Sequence, residues 1–241
     1  MTLNDSAPTT SRQLGGPEEL SPSRRDFLRS AGLTGAALAL AGCGANREND
    51  FGPTGLAGAV VDANGNATLD FSTDVGVLNY AYALEQLEAA FYVSVVTNAA
   101  FSSIFAANEQ RVLQDVRDHE VAHRDFFAAA LGAARIPNLT PVFTSINFAN
   151  RLSVLQTARV FEDLGVSAYN GAARYLSRAD YLGVAGKIVS VEARHASAIR
   201  DLLANRTGEF APTAFDAANT PQAVLTAADP FILEVITVIN A

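Results

Sequence analysis

The chain has one cysteine, one methionine, one lysine, three histidines and no tryptophan among its 241 residues. A single thiol cannot close an internal disulfide, form a CxxC redox pair or supply the four thiolates of a rubredoxin-type iron site. Lys187 stands beside 16 arginines, and 25 acidic against 17 basic residues leave a formal charge of −8. That balance offers no basic face to neutralise phosphates, so no nucleic acid is expected as a partner. Chemistry in this chain falls to carboxylates, His, Tyr or Ser. What is abundant is apolar: 49% of the residues are hydrophobic, enough at this length to bury a sizeable core.

The first fifty residues read as an address. Residues 1–22 are rich in Ser, Thr, Pro and Gly with no apolar period; then come Ser23-Arg24-Arg25-Asp26-Phe27-Leu28, a mild apolar run from Ala31 to Ala41, and Leu40-Ala41-Gly42-Cys43. The run is far shorter than the roughly 20 residues that span a bilayer as a helix. The order of charged, apolar and small-residue segments resembles a twin-arginine export signal ending in a lipoprotein-type cleavage box. That resemblance implies that Arg24 and Arg25 are the export pair and Cys43 the lipid acceptor. It also implies a mature chain tethered to a membrane in the periplasm or outer cell envelope. What is known of this route is that it exports folded proteins, often with the cofactor already loaded.

The remainder divides by pattern. Residues 44–70 read as a tether with a possible small hairpin around Asp62-Ala63-Asn64-Gly65-Asn66. From Asp74 the apolar period turns helical, with four long segments at about 74–98, 108–134, 150–176 and 178–205. Ser72, Asp74, Asn108, Asn150 and Ser177 are candidate N-caps near their starts. About 15 non-helical residues beginning at Ile136-Pro137 join the second segment to the third, a crossover long enough to let those two helices run parallel. Residues 207–241 carry Pro212, Pro221, Pro230 and an apolar run from Phe231 to Ile239 broken by Glu234 and Thr237. This extension is expected to pack on the bundle or on a neighbouring subunit. The fold class is all-α: a four-helix bundle over residues 71–206 with a C-terminal extension.

Two of the three histidines fall in Glu-x-x-His frames, Glu120 to His123 in the second segment and Glu192 to His195 in the fourth. A weak repeat relates the other two segments: Glu85 with Tyr92 seven residues on, and Glu162 with Tyr169 seven residues on. At 100° per residue, Glu and His three apart project from one helix face and can reach a common point. Each carboxylate lies in the middle of an apolar stripe, for example Leu113, Val116, Phe127 and Leu131 around Glu120. Four inward carboxylates would cost several kcal/mol each if ionised and unpaired. The stripes offer no Lys, and Arg159 and Arg194 lie only beside them, so two divalent cations shared by four Glu and two His are the simplest neutralisation. Iron comes first for such an oxygen-rich set with imidazole, manganese next, and zinc is tolerated. A metal-free bundle with carboxylates bonded to Tyr and Arg remains the alternative. Glu88 reads as a rim residue, or else as an extra ligand or access-channel carboxylate, and His119 as a helix-flank histidine.

The set Glu85, Glu120-x-x-His123, Glu162, Glu192-x-x-His195 resembles the ferritin-like dimetal-carboxylate superfamily. With the signal and the crossover, it is most similar to exported ferritin-like proteins of the desiccation-related group. The resemblance implies that Glu85 and Glu162 are terminal ligands, Glu120 and Glu192 bridge the metals, His123 and His195 each bind one, and Tyr92 and Tyr169 donate hydrogen bonds to the ligands. Several family members carry Asp just before the bridging Glu to hold the ligand His; here His119 and Val191 stand there. The resemblance further implies a centre that reacts with O2 or peroxide, or oxidises Fe(II), with no acid or base separate from the metal site. A non-catalytic stress-protection protein and a dimanganese catalase-like enzyme are alternatives, and a homodimer is a possible assembly.

The signal reading is checked in the native host. Replacing both Arg24 and Arg25 by Lys should strand the precursor in the cytoplasm; undiminished export of the double variant would overturn the reading.

Overall fold

The computed structural model describes residues 58–204 and 209–241. The expected export signal with Arg24 and Arg25, the lipid acceptor Cys43 and the tether up to residue 57 lie outside the described residues.

The chain enters through β1 (Ala59–Val61) and β2 (Ala67–Asp70), an antiparallel pair in the register Ala59 to Leu69 and Val61 to Ala67. The turn between them is set by Asp62, whose carboxylate accepts from the backbone N–H of Asn64 at 2.8 Å and of Asn66 at 3.0 Å, while Gly65 supplies a φ of +85°. Helix α1 (Asp74–Thr97) follows, then the single turn α2 (Phe101–Ile104), α3 (Ala107–Leu131), α4 (Arg151–Ala172), α5 (Ala179–Leu203) and α6 (Pro221–Ala228). Strand β3 (Ile236–Ile239) closes the chain. Helices α1, α3, α4 and α5 are the four expected from the periodicity. The 3-10 turns Gly132–Ala134 and Ala173–Tyr175 finish the segments that read as longer helices.

Of the expected N-caps, Asn150 holds its place and accepts from the Ser153 N–H at 3.0 Å. The others differ. Thr73 caps α1 through the Gly76 N–H, and Ser72 instead donates to Asp70. At α3 the cap is Ala106, whose N–H donates to Glu109 at 2.9 Å, leaving Asn108 inside the helix. Ser177 is itself a donor: its N–H at 2.6 Å and hydroxyl at 2.9 Å go to Asp74, which thereby ties the start of α1 to the entry of α5. Helix α5 starts after Arg178 with no side-chain cap, and the long-range carboxylate of Asp74 fixes the two residues just ahead of it, something no local pattern reveals.

Helices α1 and α3 pack as one hairpin pair and α4 and α5 as another, and the pairs meet along α1 and α4. Tyr169 bonds to Glu85 and Tyr92 to Glu162, so positions ascend along α1 as they descend along α4, and the two helices are antiparallel. Since α1 and α3 form a hairpin, α3 and α4 run parallel, which requires the long crossover. Polar residues spaced i, i+3, i+7 on α1 bind that crossover. Asn79 bonds to the Ala134 carbonyl at 2.9 Å and the Ile136 N–H at 2.7 Å, Tyr82 donates to Asn138, and Gln86 accepts from the Leu139 N–H at 2.8 Å. Helix α1 is therefore buried nearly all round, the polar positions spent on a loop and the rest on core.

The C-terminal extension packs on its own chain. Strand β3 adds to β2 in parallel, Ala67 facing Ile236 and Asp70 facing Ile239, so the sheet order is β1-β2-β3. Helix α6 lies on α4. Gly171 makes that approach possible, because a Cβ there would sit 1.8 Å from the Asn219 carbonyl oxygen. Gly171→Ala should force the extension off α4 and cost roughly 1–3 kcal/mol, read as a fall of several degrees in Tm. An unchanged Tm would mean that the approach is not needed.

Candidate metal centre

Glu85 on α1, Glu120 on α3, Glu162 on α4 and Glu192 on α5 are all 0% exposed, and His195 is 4% exposed. The ExxH spacing puts each His one helical turn beyond its Glu on the same inward face. His123 Nδ1 approaches Glu192 at 2.8 Å, Glu85 at 3.5 Å and Glu120 at 3.6 Å. His195 Nδ1 approaches Glu120 at 2.8 Å, Glu162 at 3.4 Å and Glu192 at 3.5 Å. Each ring lies nearest the carboxylate of the other helix's ExxH frame. The six side chains thus form two overlapping groups, Glu85-Glu120-His123-Glu192 and Glu120-Glu162-Glu192-His195, that share Glu120 and Glu192.

The tyrosines settle which oxygens face inward. Tyr169 donates to Glu85 Oε1 and Tyr92 to Glu162 Oε1, so the Oε2 atoms are the ones left facing the histidines. Glu85 Oε2, Glu162 Oε2, all four oxygens of Glu120 and Glu192, and both Nδ1 atoms are buried and have no partner with hydrogen-bond geometry. Buried polar atoms are otherwise almost always paired. Eight converging orphan atoms, oxygen and imidazole nitrogen, fit two divalent cations whose charge matches the four carboxylates. Of the metal-free alternative, the tyrosine bonds are present, Tyr169 to Glu85 and Tyr92 to Glu162, whereas Arg194 donates to the Ser190 carbonyl on the exposed face of α5.

Burial dominates the electrostatics. It raises Glu85 and Glu162 to about 8 against the lowering influence of His123 and His195 respectively. Glu120 runs the other way: burial would raise it, but the His123 and His195 rings outweigh burial and hold it at about 2. Burial works to lower both imidazoles, yet the surrounding carboxylates push His195 up to about 12 and raise His123 as well. Without metal, these shifts favour protons on the two rings and on the two terminal carboxyls, which lowers the charge buried in the core. Burial and the adjacent carboxylates also raise Tyr92 and Tyr169, which remain protonated donors.

Two residues belong to this site beyond the six. Glu88 is 4% exposed, which corrects the rim reading; burial first, then Glu120, Glu192, Glu162 and Glu85, raise it well above the carboxylate range. It fills a notch left by Gly165, where a Cβ would stand 3.0 Å from its Oε1. Glu88 and Gly165 occupy equivalent positions in the repeat, so the asymmetry is visible in the sequence, although its burial is not. His119 is more than a flank residue: its Nδ1 lies 2.9 Å from His195 Nε2, with the two rings nearly coplanar, 13° from parallel.

The protonated state makes metal-free stability pH-dependent. The folded chain holds the protons of Glu85 and Glu162 to about 8, against an ordinary value of 4.5. Their contribution is complete below the ordinary value and drains away as pH rises through about 8. The two histidines act in the same direction, whereas Glu120 loses its contribution only in acid, as pH falls towards about 2. Metal-free protein should melt at a lower temperature at about pH 9 than at about pH 6, while metal-loaded protein changes far less. Parallel curves for the two forms would sink this account.

The comparisons with known proteins agree with the geometry. The ferritin-like domain family matches residues 73–205, more than half of the chain and the whole of the four-helix bundle. The twin-arginine translocation pathway signal sequence matches residues 21–41, which supports export by that route. No curated protein matches the chain. On the strength of the domain match, the chain belongs to the ferritin-like domain family.

Proposed function

We propose that this is an exported ferritin-like protein holding a dinuclear iron or manganese centre that reacts with O2 or peroxide, detoxifying peroxide or oxidising Fe(II). The observation that carries the reading is the set of eight buried, unpartnered donor atoms arranged in two groups with two shared carboxylates. Glu120 and Glu192 would bridge the ions. Glu85 with His123, and Glu162 with His195, would complete one position each. When bound, the ion pair supplies paired one-electron changes, which suits two-electron reduction of an oxidant.

The chain's own groups prepare that chemistry. Tyr169 and Tyr92 each occupy one oxygen of a terminal carboxylate, so Glu85 and Glu162 present a single oxygen to the site. This leaves coordination positions for a small molecule. Glu88 places a fifth carboxyl at the same core, which burial and, in the metal-free chain, the four ligand carboxylates raise well above the ordinary carboxylate range. Phe91, Phe161, Phe143, Phe148 and Phe231 close an aromatic cluster around the Tyr92–Glu162 end, with Phe161 and Phe231 centroids 4.9 Å apart. That cluster keeps bulk water from the ligands and joins the extension to the site. With the signal removed and Cys43 lipidated, the bundle would work tethered to a membrane in the periplasm or outer envelope.

Purified protein should contain about two metal ions per chain, and Glu120→Gln or Glu192→Gln, which keep side-chain volume, should lose most of that binding. Almost no metal after growth with ample iron and manganese would overturn the metal reading. In stopped-flow assays, loaded protein should turn over Fe(II) with O2, or peroxide. No turnover with either would leave a metal-binding protein without catalysis.

A further inference from the structure

The ligand set repeats with near two-fold symmetry. Glu85 matches Glu162, Tyr92 matches Tyr169, Glu120 matches Glu192 and His123 matches His195, and the tyrosine bonds cross between halves. Two identical half-sites would bind two ions alike. The surroundings break this equivalence at two pairs, Glu88 against Gly165 and His119 against Val191.

The first break does not favour either ion. The bonds from residue 85 to 169 and from 92 to 162 place 88 and 165 at the midpoint of the α1–α4 seam, over the centre of the pair. The second break is one-sided. His195 turns Nδ1 to the carboxylates and Nε2 to His119 Nδ1 at 2.9 Å. When Nδ1 binds a metal, the ring's proton sits on Nε2, and His119 accepts it. That bond fixes the tautomer and the ring orientation, and the two rings lie nearly coplanar, 13° from parallel, as an in-plane N–H···N bond requires. On the other half, His123 has no partner for its outer nitrogen among the described residues. Its side chain is 13% exposed against 5% for His195, and Val191, the counterpart of His119, offers no donor or acceptor.

We propose that the two metal positions are unequal and fill in order, the His195 position first, because His119 pre-orients that ligand and no described residue does so for His123. This rests on the dimetal reading. His119 acts through His195 and is a positioning residue. An outer partner of a ligating histidine is worth about 10–100-fold in metal affinity, and that is the share of the first step assigned to His119.

The test is anaerobic titration of metal-free protein with Mn(II), followed by calorimetry and by electron paramagnetic resonance at one equivalent. Wild type should show two steps, with an isolated-ion signal at one equivalent. His119→Phe keeps an aromatic ring of similar size but removes the acceptor; it should weaken the first step by about 10–100-fold and leave the second unchanged. His119→Gln, whose amide oxygen can accept the same bond, should restore the first step. Because the terminal carboxylates differ only in which half they serve, Glu162→Gln should lose the tight step and Glu85→Gln the weak one. Matching titrations for wild type and His119→Phe, or loss of the tight step in Glu85→Gln, would overturn the ordering while leaving the dimetal reading intact. Failure of wild type to bind Mn(II) at all would overturn both.

Discussion

Four carboxylates and two imidazoles share one apolar core, and their charge has to be neutralised there. Each ionised group buried alone would cost several kcal/mol, so the bundle is stable only with protons or cations among them. The raised values of Glu85, Glu162 and His195 show the proton solution. The eight unpartnered atoms could instead hold cations, since protons satisfy charge but leave the geometry of the donors unused.

Much of the remaining architecture serves to hold this core shut. Helix α1 contributes Glu85, Glu88 and Tyr92 inward while Asn79, Tyr82 and Gln86 grip the crossover, so one helix both builds the site and fixes the parallel pairing of α3 and α4. The extension returns past the crossover, where Glu234 accepts from the Thr140 N–H at 2.8 Å and hydroxyl at 2.7 Å, and Phe231 reaches Phe161. The termini of three helices are joined by Arg151, which bonds to Glu109 and to the Leu202 carbonyl. These ties are polar, half-buried and far from one another in sequence. They restrict relative sliding of the helices that would pull the carboxylates out of register.

The near symmetry of the ligands is matched by asymmetry around them. Glu88 against Gly165 puts a fifth carboxyl on one side of the seam only, and His119 against Val191 supports one imidazole only. Of the two, only the His119–His195 contact is one-sided with respect to the ligands, and on the proposed reading it would make the metal positions inequivalent without any change in the ligands themselves.

The helices, the crossover and all six ligand candidates were legible in the sequence, because helical period and ExxH spacing are local and repeat within each segment. The starts of α1, α3 and α5 were not, since Thr73 caps α1, the Ala106 N–H pairs with Glu109 at α3, and α5 begins after Arg178 without a side-chain cap while Asp74 holds the Ser177 and Arg178 N–H groups ahead of it. Strand β3 was read as an apolar run because its parallel partner β2 lies some 170 residues away, and its alternation is broken by residues that have long-range jobs of their own. The burial of Glu88 and the contact of His119 with His195 likewise depend on which helix faces are pressed together. The sequence by itself determined which residues could meet a metal, through spacing on each helix. Only the tertiary structure decided which oxygen each carboxylate presents, where Glu88 is buried and which histidine has a partner, because those outcomes depend on contacts between helices and not on any one of them.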